Sequence, residues 1–188
     1  MLIGALRTIQ TQSSWEWINA GRQGATIAEA RPDGSIPVGT LIDGAIANNP
    51  LIKNNPERLT HIAMNWGVND QGEGGANLTE SLWISRYDAI ISYLHDRFPN
   101  AVFYASYPWR VGWDTQAASM KGWIDTVISH CSNIGATCSA GVDEAIVIKA
   151  NDNGYLETDI STNGSGVHYT NPLGVGLYAD AMKAVLGF

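Results

Sequence analysis

Short apolar runs alternate with amphipathic segments along this chain, and the alternation restricts its fold more than any other feature of the sequence. Residues 77–98 form the clearest predicted helix, because their large apolar side chains recur at helical spacing. Apolar runs at 59–66 and 101–107 flank this helix and are typical of buried strands. Strands that alternate with helices indicate βαβ units, in which parallel strands share one sheet covered by helices.

Weaker patterns extend the alternation towards both ends of the chain. The 188 residues are enough to bury one sizeable core, so we predict a single domain over residues 1–188. Its predicted fold is a three-layer α/β/α sandwich of flavodoxin-like type around a parallel sheet. The further predicted elements are strands at 15–20 and 144–148, helices at 40–48, 115–131 and 172–186, and a polar loop at 150–170.

Composition excludes several classes of partner. A formal net charge of −7, with 11 lysines and arginines that form no run, argues against nucleic acid. No stretch approaches the ~18 consecutive apolar residues of a membrane-spanning helix, so no membrane span is expected. The start of the chain carries no recognisable signal peptide, although a truncated start would make that absence uninformative. Without paired metal-ligand or phosphate-binding motifs, the sequence predicts neither a metal nor a cofactor.

Two cysteines, Cys131 and Cys138, lie seven positions apart. They could close a small loop between a helix and the next strand, and such a disulfide would indicate a secreted or extracytoplasmic protein. Two free thiols would instead fit a reducing cytoplasm. Spacing alone does not decide between these alternatives, because disulfide formation depends on geometry.

Three glycine-containing segments carry the chemical information in this sequence. Gly67-Val68-Asn69-Asp70 follows an apolar run, so it delivers the Asn69 amide to the carboxyl edge of a parallel sheet, where an amide can donate to an oxyanion. A glycine turn at 19–26 precedes it, and a Gly-x-His-x-x-x-Pro-x-Gly segment at 166–174 follows near the C-terminus. Both segments are predicted loops that adjoin a predicted strand or helix.

The order of these segments resembles the SGNH (GDSL-like) hydrolase superfamily of esterases and lipases, over roughly residues 15–188. The resemblance implies a carboxylic ester hydrolase of α/β fold. It also implies that the backbone N–H of Gly24 and the side chain of Asn69 form an oxyanion hole. His168 would be the general base, in a loop from which its imidazole reaches a cleft and titrates near neutral pH.

The chain departs from the family at the nucleophile. The family begins with a strand that ends in Gly-Asp-Ser, and this tripeptide is absent here. Residues 1–11 are typical of the end of the helix that follows the serine turn, so we expect the first strand to be missing or rearranged and the domain to be truncated at its N-terminus. Ser13 and Ser14 are the remaining candidates, although they precede a predicted strand where the family's serine follows one.

A second departure concerns the group that orients the histidine. The family's aspartate, three residues before His168, is replaced here by Ser165. Asp159, Asp152 or a backbone carbonyl could orient the imidazole instead.

Aromatic side chains at the ends of predicted strands suggest a ligand. Trp66, Tyr107, Trp109 and Trp113 lie at or just beyond these ends, where loops would line a cleft. Aromatic walls suit acyl chains or sugar rings, although each side chain could equally belong to the core.

The sequence leaves two functions open. The first is an esterase that acts on a small-molecule or carbohydrate ester, with a short acyl group or an acetylated sugar as substrate. The second is a catalytically inactive relative that serves as a binding or structural module. In either case, loss of a central strand would leave an unpaired sheet edge, from which we predict a homo-oligomer that covers it.

Overall fold

A computed structural model of the chain describes residues 26–27, 43–44, 46–68, 70, 78–109, 113–147 and 172–187. The strands in these ranges are β1 (His61–Met64), β2 (Val102–Tyr107) and β3 (Thr137–Asp143). The helices are α1 (Pro50–Asn54), α2 (Glu80–Arg97), α3 (Asp114–His130), α4 (Glu144–Val147) and α5 (Pro172–Leu186), and residues 43–44 and 46–47 are also helical.

The three strands form a parallel sheet in the order β1-β2-β3. His61 lies opposite Val102, and Val102 lies opposite Thr137, so the strands begin level with one another. Predictions of an α/β fold and a parallel sheet are therefore confirmed. The predicted strand at 15–20 lies outside the described residues, and the homo-oligomer stays a prediction.

Helices cover both faces of this sheet because β2 is apolar on both sides. Phe103 and Ala105 pack with α2 and α3 in the larger core. Tyr104 points the other way and packs with Tyr178 and Met182 of α5. The result is a helix layer on each side of the sheet, as the three-layer arrangement requires. None of the helices in the described ranges has the length and apolar character needed to cross a membrane.

Local sequence signals explain the ends of the longest helix. Thr79 caps α2, and its side chain accepts a hydrogen bond from the N–H of Leu82 at 3.4 Å. The helix ends at Arg97, just before Phe98-Pro99, because a residue that precedes proline disfavours the helical conformation. The apolar stripe that the sequence predicts faces the larger core and consists of Trp83, Tyr87, Ile90, Ile91, Leu94 and Phe98, and Ile84 is buried beside it.

The prediction of a strand at 144–148 is wrong, because Glu144 begins helix α4 and the strand lies earlier, at Thr137–Asp143. The small residues of this strand, such as Ala140 and Gly141, do not form an apolar run, so the sequence pattern did not indicate a strand here. The strand forms because it pairs with β2 along nearly its whole length.

A β-bulge interrupts the pairing of β2 with β3 near their carboxyl ends. Ala105 pairs with Ala140 but Tyr107 pairs with Asp143, so β3 contains one more residue than β2 in this interval. A Cβ atom on Gly141 would lie 2.6 Å from the Ser106 hydroxyl oxygen, which explains the glycine there. The bulge reverses the alternation of β3, so the side chain after Asp143 turns towards α5.

A disulfide joins Cys131 and Cys138, with their Cα atoms 5.9 Å apart. It ties the turn that ends α3 to β3, and this resolves the alternative that the sequence left open. Cys131 is buried within the larger core, so the bond is anchored by packing at one end.

We predict that replacing both cysteines, Cys131→Ser with Cys138→Ser, lowers the free energy of unfolding by about 2–3 kcal/mol. The estimate follows from the chain entropy that a short disulfide loop removes from the unfolded state. Urea unfolding measures the difference. A reducing agent should destabilise the natural protein and leave the double variant unchanged, and equal sensitivity of the two proteins would contradict the prediction.

Candidate functional site

The carboxyl ends of the three parallel strands lie at one edge of the sheet, where open α/β folds bind ligands. Residues 65–68 and Asp70 follow β1 at this edge, Pro108 and Trp109 follow β2, and Glu144 follows β3. These three segments are distant in sequence, and the parallel register brings them together.

Glu144 is the centre of a polar network at this edge. Its carboxylate is buried, with 6% of the residue exposed, and it accepts hydrogen bonds from two different loops. Oε1 accepts from Nδ2 of Asn65 at 2.8 Å, and Oε2 accepts from the backbone N–H of Trp109 at 3.0 Å. A buried carboxylate is tolerated only when such bonds replace its hydration. Glu144 therefore links the ends of all three strands.

Two further side chains complete what we call the strand-end network, defined as Asn65, Ser106, Glu144 and Tyr178. The Ser106 hydroxyl is buried and accepts the backbone N–H of Val142 at 3.2 Å, a donor that the bulge removes from regular pairing. Burial raises the pKa of Tyr178 above its usual range, and the charge of Glu144 raises it further, while hydrogen bonding to Ser106 and Asn65 acts in the opposite direction.

The turn at 67–70 is held by contacts on several sides. Gly67 has φ +128°, and a Cβ atom there would lie 2.7 Å from the terminal methyl of Met120 and 3.1 Å from Cγ of Pro108. The N–H of Asp70 donates to the carbonyl of Gly67 at 3.0 Å, which closes the turn. Val68 packs against the cluster formed by Trp109 and Trp113.

Asp70 attaches this turn to a distant part of the chain. Its side chain is fully buried, and Oδ1 accepts the backbone N–H of Ile27 at 2.7 Å. Burial raises the pKa of the neighbouring Tyr87, and the charge of Asp70 adds to the rise. The carboxylate therefore braces the loop.

The aromatic residues predicted to bind substrate separate into two groups. Trp109 and Trp113 pack together in a buried cluster at the carboxyl edge. Trp66 packs instead against the larger core. The Tyr107 hydroxyl donates to Asp125 at 2.7 Å, and the Lys121 ammonium lies 3.5 Å from the centre of its ring.

A groove of about 200 Å³ lies between the end of β2, the first half of α3 and the start of α4. Asp143 and Lys121 form an ion pair of 3.5 Å on its wall, and Nε1 of Trp109 donates to Asp114 at 3.2 Å. The lining residues are Tyr107, Pro108, Trp109, Asp114, Ala117, Ala118, Lys121, Asp143, Ala145 and Ile146. Two of the four predicted aromatic residues, Tyr107 and Trp109, thus line it.

The residues predicted to be catalytic lie outside the described residues; they are Ser13, Ser14, Gly24, Asn69, Asp159 and His168. Within the described part of the chain, histidine, cysteine, aspartate and glutamate side chains form no group of three that could hold a metal ion.

Sequence reasoning missed the strand-end network. A period-two pattern in β1 and β2 could have revealed half of it, because Asn65 and Ser106 lie on the opposite face from Met64 and Phe103. Glu144 gave no such signal, because the bulge shifts the alternation just before it.

Comparisons of the chain with protein-family models, with curated proteins and with solved structures give no match.

We predict that Gly67→Ala destabilises the protein by about 2–3 kcal/mol, because alanine is strained at this φ and its Cβ collides with Met120. Gly135→Ala is the matched control. Gly135 also has a positive φ, of +74°, but the nearest atom to an added Cβ is 3.7 Å away. Thermal or urea unfolding of both variants measures the cost. Equal losses of stability in the two variants would mean that the collision with Met120 adds nothing to the cost of the backbone strain at Gly67.

Proposed function

We propose that this chain is an SGNH-type esterase that hydrolyses carboxylic esters with short acyl groups or acetylated sugars. The observation that carries the proposal is the buried hydrogen bond between the N–H of Ile27 and the carboxylate of Asp70. It joins the two segments that contain the candidate oxyanion donors.

The short chain on either side of this bond limits how far apart the two candidate donors can be. Gly24 precedes Ile27 by three residues, which span at most ~11 Å, and Asn69 is the residue before Asp70. Hydrogen bonds from a backbone N–H to a buried carboxylate are short and strong, so the two segments are held together firmly. An oxyanion hole needs two donors fixed in this way before the substrate arrives.

The C-terminal helix supports a place for His168 near the same edge. His168 precedes the start of α5 at Pro172 by four residues. Leu177, in the second turn of α5, packs against the Trp109–Trp113 cluster. The first turns of α5 therefore lie close to the carboxyl edge, and His168 is four residues before them in the sequence.

The proposed reaction proceeds through an acyl-enzyme. A serine hydroxyl, from Ser13 or Ser14, attacks the ester carbonyl while His168 accepts its proton. Gly24 and Asn69 donate to the oxyanion, and the alcohol leaves with the proton from His168. A water molecule then attacks the acyl group while His168 accepts its proton, and the serine oxygen leaves with that proton as the carboxylic acid is released. Asp159 is the proposed partner of the imidazole. The disulfide favours a secreted or extracytoplasmic location for this enzyme.

The direct test is hydrolysis of p-nitrophenyl acetate and butyrate by the natural protein and its variants. We expect Asn69→Ala to lower kcat about 10²–10³-fold, because one oxyanion donor is lost. His168→Ala should lower it about 10²–10⁴-fold through loss of the general base. His130→Ala, a histidine that pairs with Asp88 at the far end of α3, is the matched control and should keep full activity.

Labelling with a fluorophosphonate followed by peptide mass spectrometry identifies the nucleophile in the same preparation. Label on Ser13 or Ser14, abolished in His168→Ala, would support the proposal. Absence of both hydrolysis and label in the natural protein would reject it and favour the inactive binding or structural module.

The groove beside Trp109 gives a second prediction about substrate size. Its volume of about 200 Å³ is smaller than typical ligand pockets of roughly 300–1,000 Å³, so it suits a short acyl group or a single ring. Ala118→Phe, at an exposed position on its wall, should raise KM for the butyrate ester about tenfold with little change in stability.

Ser129→Phe provides the matched control, because Ser129 is exposed on the same helix but does not line the groove. Unchanged KM in Ala118→Phe, or an equal rise in both variants, would exclude the groove as a substrate site.

A further inference from the structure

We propose that Glu144 is a positioning residue that holds the loop 65–70 and the segment Pro108–Trp109 in fixed relation. Its effect on catalysis rests on the proposed function, since loop 65–70 contains Asn69. Its effect on the two loops does not depend on that function.

The two oxygens of one carboxylate serve different loops. Oε1 accepts from Asn65 at 2.8 Å and Oε2 accepts from the N–H of Trp109 at 3.0 Å. Both donors come from residues that follow a strand directly or after one residue, so their strands are the rigid supports. Glutamine in this position would keep one acceptor oxygen and exchange the other for an N–H₂ donor, so one of the two hydrogen bonds would become a contact between two donors.

The restraint on Asn65 is transmitted along a short loop. Asn65 is fixed at the start by Glu144, and Asp70 is fixed at the end by the N–H of Ile27. Gly67 lies against Met120 and Pro108 between them. The described residues before and after position 69 are therefore restrained. Loss of the hydrogen bond between Asn65 and Glu144 removes the restraint on the start of the loop.

The neighbouring carboxylate provides a control that the chain itself supplies. Asp143 precedes Glu144 but faces the opposite side of the sheet, where it pairs with Lys121 at 3.5 Å. Asp143→Asn and Glu144→Gln remove the same charge from adjacent residues. Asp143 also accepts from donors, the N–H of Ile146 at 3.3 Å and the ammonium of Lys121, so each exchange places an amide N–H₂ against an existing donor. Only in Glu144→Gln do these donors belong to Asn65 and Trp109.

The first measurement is amide NMR, which needs no activity. In Glu144→Gln, we expect the Trp109 amide resonance to shift and the amides of residues 66–70 to exchange with solvent about tenfold faster. Asp143→Asn should change neither. Asn65→Ala is a milder variant at an exposed position, and it should accelerate exchange in 66–70 while leaving the Trp109 amide in place.

The second measurement is a double-mutant cycle on kcat with p-nitrophenyl acetate. Glu144→Gln should lower kcat about tenfold in the natural background, because small displacements of a catalytic group are costly. In the Asn69→Ala background the same change should alter kcat less than about twofold, since the group being positioned is absent. A purely structural role would give the same loss in both backgrounds.

The two measurements separate the failure of this proposal from failure of the proposed function. An inactive natural protein would reject the esterase, and the exchange data would still decide the role of Glu144. Unchanged amides in Glu144→Gln, or equal changes in Asp143→Asn, would overturn the proposal. If Glu144→Gln does not fold, protected amides at 66–70 in Asn65→Ala would overturn it as well.

Discussion

The extra residue that β3 inserts opposite Ser106 determines how the carboxyl edge of this protein is built. Without it, strict alternation would direct Val142 to the larger core and Asp143 to α5. With it, Val142 packs beside Tyr178, Asp143 meets Lys121, and Glu144 turns towards Asn65. The cost of the bulge is a backbone N–H without a regular partner, and Ser106 accepts that hydrogen bond.

Two buried carboxylates fix the loops at this edge. Glu144 bonds to donors that follow β1 and β2, and Asp70 bonds to the N–H of Ile27, a residue 43 positions away in sequence. A buried charge that loses its partner costs several kcal/mol, so each carboxylate strongly disfavours any arrangement that separates its loops. Apolar packing, such as that of Val68 against the Trp109 and Trp113 cluster, is less directional than these hydrogen bonds. Packing alone would therefore not fix the position of one loop relative to the other.

Periodicity in the sequence predicted most of the helices and strands, whereas the features that depend on tertiary pairing were largely missed. The α2 helix was identified because its apolar side chains repeat about every 3.6 residues. The β2 strand was identified because its residues form a nearly continuous apolar run. β3 was missed because Ala140 and Gly141 have little intrinsic strand signal, and its position depends on pairing with β2. Asn65 and Glu144 are 79 positions apart, and no local pattern relates them. The candidate turn Gly67–Asp70 was found because glycine and asparagine in that order have a direct chemical meaning.

The arrangement of this edge also bears on where a nucleophile can be. Ser106 is the serine that β2 brings to the strand ends, yet it is 1% exposed and already accepts the N–H of Val142. A hydroxyl in that state would have to lose a buried hydrogen bond before it could attack an ester, and the bulge would lose the group that satisfies it. Ser106 is therefore structural. An ester hydrolase built on this edge needs a serine delivered from another segment, and the bond between Ile27 and Asp70 ties the chain downstream of Ser13 and Ser14 to the candidate oxyanion loop.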